Sequence, residues 1–450
     1  MKARILSVAV SCGLLAVSGS ALAISNNEAN ANIPFSFSTP GARSLAMGGA
    51  FLGAADDATA ALANPAGLTR LGLEQQVMLE LRHNSPRTPY AAGGSVTNNP
   101  FNPTRVRYGE DTSSVEHVSY LAWVLPRDTW ALSLYRTTMV DFESNFSTEQ
   151  IDLLDFPGTF VRPYSSAADL EVVGYGASFA MNLNDNLSFG VGAIWYDFEI
   201  ASITDRFESD GVTLANRQLQ GGDDNDVGFN VGLLYKGSDR FSFGLSYRSA
   251  PEFSYGASNT VFRVNDPNTG DLITLDPPVL AANFTTPFKA PDVFGVGMSW
   301  RATEQLTFNL DINRVGYSNL SEQVDDAFFT GGDFEVNIDP QILRSLEIED
   351  EIEPRLGVEY VLAEMSYPVS LRAGWWQEKR HTLSFNADPD SLNFDNPVVA
   401  TANAVLFSTG EDEDHISVGF GWAFPNFQVD LGYDHSDTME VLSLSGVYRF

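Results

Sequence analysis

The sequence predicts an all-β protein: a transmembrane antiparallel β-barrel of about 14 strands with an N-terminal, partly helical plug, or hatch, in its lumen. Three observations predict it. From about residue 72 onward apolar and polar residues alternate with period two, in segments of about ten residues. Tight turns alternate with long polar loops between those segments. The hydrophobic content of 44% is spread along the chain, so that beyond the N-terminus no run approaches the roughly 20 apolar residues a membrane helix needs.

The N-terminus sets the compartment. Lys2 and Arg4 precede an apolar run from Ile5 to Val17 that ends at Ala21-Leu22-Ala23, the form of a secretory signal peptide with an A-x-A cleavage site. The expected division is a leader at 1–23 cut near Ala23, a hatch at 24–72 and a barrel at 73–450. The single cysteine, Cys12, falls inside the leader, and Ala9-Val10-Ser11 before it makes a poor lipoprotein box. The exported chain would then hold no disulfide and no thiolate metal site. With 26 basic against 58 acidic residues and a formal charge of −32, nucleic acid is excluded as a partner.

Strands are expected at about 73–83, 115–125, 128–140, 170–182, 187–200, 226–235, 240–248, 292–301, 306–317, 354–362, 367–379, 415–424, 427–434 and 440–450. Two are clear. Phe294, Val296, Met298 and Trp300 share one face against Gly295, Gly297 and Ser299, and Ile416, Val418, Phe420, Trp422 and Phe424 oppose His415, Ser417, Gly419, Gly421 and Ala423. The even count suits a single-chain bacterial barrel, with short turns on the periplasmic side and long loops outside. Lipid offers the backbone no partners, so only a closed sheet of this kind can span. The chain ends on aromatic Phe450, as outer-membrane barrels do, and Trp123, Trp130, Trp300, Trp375 and Trp422 suit interfacial girdles.

Residues 24–72 do not alternate. They are rich in Gly and Ala, with a helix-like piece from Asp56 to Ala63 that stops at Asn64-Pro65, ordinary helix punctuation. A periplasmic stub and a plug folded back into the lumen both fit, since 14 strands enclose a space that is either filled or becomes a channel.

Several motifs lie in this frame: Gly41-Ala42-Arg43-Ser44-Leu45-Ala46-Met47-Gly48-Gly49-Ala50-Phe51, Ala55-Asp56-Asp57-Ala58-Thr59 and Asn64-Pro65-Ala66-Gly67-Leu68, then Pro291 to Gly297, Leu310 to Tyr317, Arg355 to Tyr360, Leu371 to Gly374 and Asp430 to Tyr433. Together they resemble the FadL family of outer-membrane long-chain fatty acid transporters. The resemblance implies a monomeric outer-membrane barrel without cofactor, closed by a hatch, with outer loops that gather lipid and a lateral opening where the third strand is kinked. That strand, Trp130 to Val140, contains neither Gly nor Pro. The implied cargo is a long-chain fatty acid or another hydrophobic small molecule, carried passively amid outer-membrane lipid and glycolipid. Gating is expected at Asn64, Pro65, Ala66 and Gly67.

Several residues invite chemistry. The long loops 249–291 and 318–353 carry Phe253, Phe284, Phe288, Phe328 and Phe329. They read either as loop packing or as a greasy entry site, where an acyl chain gains about 0.8 kcal/mol per buried methylene. Alternation sends Asp311, Glu359 and Arg372 to the lumen at similar height, with Arg355 nearer the outside. These form either a bracing ion-pair network or, through Arg355 or Arg372, a carboxylate-binding pair. His415-Ile416-Ser417 resembles a lipase element, but its lipid-facing partners turn His415 and Ser417 inward, so no catalytic residue and no enzyme is expected. The other histidines lack metal spacing. The acidic clusters at Asp223 to Asp226, Glu347 to Glu353 and Glu411 to Asp414, expected in outer loops, lack calcium-loop spacing. A diffusion porin for polar solutes and a sealed barrel serving as a surface or assembly component remain the alternatives.

Overall fold

A computed structural model describes residues 39–97, 104–265, 272–320, 346–379, 384–385 and 412–450. The expected leader and its cleavage site lie outside the described residues. Fourteen antiparallel strands close into a barrel: β1 Gln76–Pro86, β2 Val115–Pro126, β3 Trp130–Ser147, β4 Tyr164–Asn182, β5 Leu187–Phe207, β6 Leu214–Lys236, β7 Phe241–Arg248, β8 Val293–Arg301, β9 Leu306–Val315, β10 Glu351–Leu362, β11 Val369–Glu378, β12 Glu413–Ala423, β13 Phe427–His435 and β14 Met439–Arg449. β14 closes on β1 from Gln76 opposite Arg449 to Pro86 opposite Met439. The last residue takes part in the closure, because Gln75 and Phe450 exchange both backbone hydrogen bonds at 3.0 Å.

The outward rows are apolar where lipid surrounds them. Phe294, Val296, Trp300, Ile416, Val418, Phe420 and Trp422 are all exposed, whereas His415 and Ser417 are buried. Aromatic residues gather at the periplasmic rim: Trp300 stacks with Phe241 and Phe308, Trp130 with Phe179 and Phe424 with Phe427, while Trp422 lies tilted against Phe424. Toward the outside the tilted pair Tyr175–Trp195 marks the other interface, as amphipathic rings do.

Beyond that pair the alternation inverts. On β5 the outward residues change from Val191 and Trp195 to Asp197 and Glu199, while Phe198 and Ile200 turn inward and are buried. The same inversion lets β3 to β6 run past the bilayer, so four expected ends are corrected: β3 continues to Ser147, β4 starts at Tyr164, β5 ends at Phe207 and β6 starts at Leu214. Water, not lipid, faces the outer rows there, and the period is kept with its sign reversed.

Two loop expectations change for related reasons. The segment 249–291 is mostly a β-hairpin, Glu252–Asn265 with Leu272–Lys289, that pairs with the outer part of β6 while β7 pairs with its inner part. The cluster Asp223-Asp224-Asn225-Asp226 lies within β6 at this fork. There Asp224 Oδ2 accepts Ser254 N–H at 2.7 Å and Asp226 Oδ2 accepts Glu252 N–H at 2.8 Å, supplying acceptors where no strand is paired. Glu413 and Asp414 likewise begin β12, and Glu351 to Glu353 begin β10. Four short strands, Thr88–Val96, Arg105–Asp111, Ile151–Leu153 and Phe160–Val161, form a separate outer sheet.

Candidate functional site

Residues 39–72 fold inside the barrel, which follows from the number of walls they touch. Gly41 N–H donates to Glu80 of β1 at 2.7 Å, and Ala42 N–H to Ser445 of β14 at 3.3 Å. Gly48 N–H donates to Ser417 of β12 at 2.9 Å, and Phe51 and Leu52 N–H share Asp311 Oδ2 of β9 at 2.7 and 2.8 Å. Tyr120, Ser178, Asn230, Ser242 and Ser246 donate to hatch carbonyls from β2, β4, β6 and β7. The wall thus supplies partners for a backbone with little regular structure of its own: one helical turn at Ala42–Leu45, another at Ala60–Ala63 and a 3-10 turn at Pro65–Arg70. The helix-like piece expected from Asp56 is only the turn Ala60–Ala63, because Asp57 spends its carboxylate on Thr59 N–H at 2.9 Å.

Lumen-facing glycines let the hatch lie against the strands. A Cβ on Gly244 would stand 2.0 Å from Leu52 O, and one on Gly374 2.1 Å from Gly48 N. The expected gating residues sit at one such contact. Asn64 is buried, donating from Nδ2 to Leu52 O and Leu233 O at 3.1 Å each. Gly190 of β5 faces Pro65 and Ala66, Gly232 of β6 faces Asn64, and Gly67 packs on Ala55.

The charged lumen residues come together on two levels. Strand register sets Asp311 opposite Arg355 and Glu359 opposite Arg372, which corrects the expectation that Asp311, Glu359 and Arg372 share a height. Arg372 donates to Glu359 and Asp430 at 2.7 Å each, and Arg43 of the hatch grips the same Glu359 at 3.0 Å and Asp56 at 2.6 Å. Arg355 pairs with Glu353 at 2.7 Å, reaches Gly48 O at 3.3 Å and lies over the Trp376 ring at 4.2 Å. On the other side of that ring His415 stacks at 3.8 Å, held by Asp434 at 2.6 Å and Glu378 at 3.0 Å. The guanidinium groups of Arg355 and Arg372 are therefore engaged by wall carboxylates.

One seam of the wall is incomplete. β2 and β3 pair only from Pro126 opposite Ala131 to Tyr120 opposite Thr137. Outside that point β2 still pairs with β1 up to Val115, and β3 with β4 up to Ser147. Each strand carries one extra residue where they part: Ser119 is skipped in the β1 register and Met139 in the β4 register. Facing bulges bend both strands and end their pairing, which explains how the third strand is kinked without Gly or Pro. Side chains cross the seam. Arg136 and Thr138 donate to Val118 O, and His117 Nδ1 stands 3.2 Å from Asp141 Oδ2. Asn145 N–H on Asp111 at 2.9 Å bounds it on the outside.

Behind the seam lies an apolar layer. Met139, Val140, Phe142, Leu170, Val172 and Ile200 belong to the buried core that continues into the hatch. Phe288 is part of it, stacked on Phe198 at 5.4 Å and near Phe253 at 6.4 Å. Phe284 lies on the hairpin strand Leu272–Lys289, with its side chain outside the described residues, as are Phe328 and Phe329 altogether.

Comparison with known proteins fits this geometry. Residues 20–383 match the family described as outer membrane protein transport protein (OMPP1/FadL/TodX). The chain belongs to that family. The OMPP1/FadL/TodX proteins are outer-membrane β-barrels of Gram-negative bacteria that act as channels and transporters, not enzymes. A FadL homologue from Pseudomonas aeruginosa superposes with a TM-score of 0.62 at 14% identity, over 92% of this chain and 99% of that one. The toluene transporter TodX of Pseudomonas putida gives 0.58 at 14%, over 93% and 99%. TbuX, a toluene transporter of Ralstonia pickettii, gives 0.56 at 14%, over 92% and 99%. At these identities the likeness speaks for the fold. No curated protein sequence matches the chain.

Sequence reasoning missed three parts of this OMPP1/FadL/TodX barrel. Glu80, which meets Gly41, Arg82 and Ser443 at once, interrupts an ordinary strand and was readable only as an inward carboxylate. The bulges at Ser119 and Met139 have no residue signature. The glycines that admit the hatch were visible as the small face of each strand, but nothing in the sequence says what lies against them.

Proposed function

We propose that the protein is a passive conduit for uptake of hydrophobic small molecules across the outer membrane, long-chain fatty acids and hydrocarbons among them. The cargo enters near the apolar loop residues Phe284, Phe288, Phe328 and Phe329, rests on the layer of Phe142, Phe198 and Phe253, and leaves through the seam between β2 and β3. A shift of the hatch at Asn64, Pro65, Ala66 and Gly67 accompanies release. One observation carries this reading: the lumen is filled along its axis by the hatch, while the wall beside the apolar layer lacks strand pairing. A polar solute needs a wet axial path, which the hatch occupies, and a sealed surface component has no use for an unpaired seam. The named transporters among the structural neighbours support the same class of cargo. Asp311, Glu359, Arg355 and Arg372 serve to brace the wall and seat the hatch in preference to holding a ligand carboxylate, because the two arginines and Glu359 are ion-paired within the wall and Asp311 is spent on the Phe51 and Leu52 N–H groups. The leader 1–23 directs export and is cut near Ala23, and the barrel works as a monomer surrounded by outer-membrane lipid and glycolipid.

Deleting Met139 tests the route. The deletion restores regular alternation between Thr138 and Val140, so β3 can pair without a bulge. Hexadecanoate uptake by expressing cells should fall to that of cells lacking the protein, with the barrel still showing heat-modifiable migration. Unchanged uptake through a folded variant would remove the seam from the account.

A further inference from the structure

The outer lumen carries a polar face that neither the hatch nor the apolar layer uses. Its rows follow from register. Arg206 of β5 is opposite Tyr164 of β4 and Asn216 of β6. Thr204 lies between Ser166 and Gln218, and Ser202 between Ala168 and Gln220. Ser144 of β3 is opposite Ala168. All these side chains point inward. Arg206, Asn216, Gln218, Gln220 and Ser144 are 7%, 2%, 5%, 4% and 2% exposed.

Little of this hydrogen-bonding capacity is spent. Ser166 and Thr204 bond each other at 2.7 Å, and Asn216 Nδ2 donates to Asn259 at 3.3 Å. Arg206 Nη1, Asn216 Oδ1, Gln218 Oε1, Ser144 Oγ and both amide atoms of Gln220 have no hydrogen-bond partner among the described residues. Arg206 also differs from the other buried arginines. Arg82, Arg355 and Arg372 each meet a carboxylate. Arg206 meets the Tyr164 ring at 6.0 Å, and the neighbouring Arg162, itself paired with Glu208 at 3.3 Å, adds repulsion. A buried charge is as a rule paired, and buried polar atoms are as a rule bonded. A run of such exceptions on adjacent strands points to a partner from outside the chain.

We propose that this face binds the carboxylate head group of an amphipathic cargo molecule, with Arg206 as its cation and the amides of Gln218 and Gln220 and the hydroxyl of Ser144 completing the shell. The inference rests on the conduit reading above. A guanidinium offers a carboxylate paired N–H donors, and amide groups can turn their NH₂ ends toward an anion. The tail then lies on Phe142, Ile200, Phe198, Phe253 and Phe288. From Arg206 to Ile200 is six residues along β5, about 20 Å at ~3.3 Å per residue, so a long acyl chain reaches the apolar layer from this head-group position. The chain's net charge of −32 repels free anions, so the attraction has to be local and enclosed.

Binding of hexadecanoate, 1-hexadecanol and hexadecane to the full-length protein in detergent, read by tryptophan fluorescence, tests this. Arg206→Gln should weaken hexadecanoate about tenfold or more while leaving hexadecanol within about twofold, and Arg206→Lys should fall between. Gln220→Leu, which leaves the charge in place, should weaken both oxygenated ligands and spare hexadecane. Equal weakening of all three ligands by Arg206→Gln, or no change in any, overturns the head-group site while leaving the conduit standing. Failure of the wild-type protein to bind any of the three would overturn the conduit reading, and this site with it. Heat-modifiable migration of each variant shows that its barrel has closed.

Discussion

Replacing Asp311 by alanine should unfasten one turn of the hatch without touching its sequence. Asp311 Oδ2 is the shared acceptor for Phe51 and Leu52 N–H, at 2.7 and 2.8 Å, and the residue is 1% exposed. A hydrogen bond to a charged group contributes about 1.5–3 kcal/mol, so in alkaline buffer, where the carboxylate is ionised, losing two loosens the turn by about 3–6 kcal/mol. At 1.4 kcal/mol per factor of ten, local opening rises by about 10²- to 10⁴-fold. Asp311→Asn keeps a neutral acceptor, and charge-assisted bonds are roughly twice as strong as neutral ones, so it should lose about half as much. The assay is amide hydrogen exchange of the hatch peptide spanning Phe51 and Leu52, read by mass spectrometry on the folded protein in detergent. Exchange at the wild-type rate in the alanine variant would refute the claim that this carboxylate fastens the hatch.

Other outcomes follow from the same contacts. Gly244→Val places a side chain 2.0 Å from Leu52 O, so the full chain should fail to reach the heat-modifiable form; combining it with deletion of 39–66 should restore folding, and no rescue would mean the clash lies elsewhere. Arg372→Met leaves Asp430 buried without its cation, and breaking a buried pair costs about 3–5 kcal/mol; the thermal transition of the barrel should drop, and an unchanged transition would contradict the bracing role. Deleting 39–66 alone should let a closed barrel conduct ions in a planar bilayer, whereas a silent bilayer would mean the lumen is blocked by something other than the hatch. Ser417→Ala removes the acceptor for Gly48 N–H; esterase activity that disappears with this serine would overturn the view that it serves the hatch.

The fold was legible wherever lipid imposes the pattern. On β8 and β12 the outward rows Phe294 to Trp300 and Ile416 to Trp422 are exposed to the bilayer, and a hydrophobic environment on one face leaves an unmistakable period of two. The pattern failed where the environment changes. Past Trp195, β5 turns Asp197 and Glu199 outward and Phe198 inward, so a reading tuned to apolar-out stopped too early. The hairpin at Glu252–Lys289 and the acidic stretch of β6 were missed because at the fork β6 keeps β5 as a strand partner on one edge only, and on the other the Asp224 and Asp226 carboxylates take the Ser254 and Glu252 N–H groups in place of a paired strand.

The site was legible in part. Asn64-Pro65-Ala66-Gly67 was found from its motif, and the inward placement of Arg355, Arg372, Asp311 and Glu359 from alternation. Which of these charges are matched depends on register and on Arg43 arriving from more than 300 residues away in sequence. No local pattern encodes that, nor the lack of an ion pair at Arg206 among the described residues. The seam depends on two single-residue bulges, whose Ser119 and Met139 are unremarkable residues for a strand.

The most direct test of the central claim compares uptake of radiolabelled hexadecanoate, toluene and a polar sugar of similar size by cells lacking or expressing the protein. The account predicts faster entry of at least one of the two hydrophobic compounds, with the sugar unchanged. Faster entry of the sugar alone, or no change in any of the three, would contradict it.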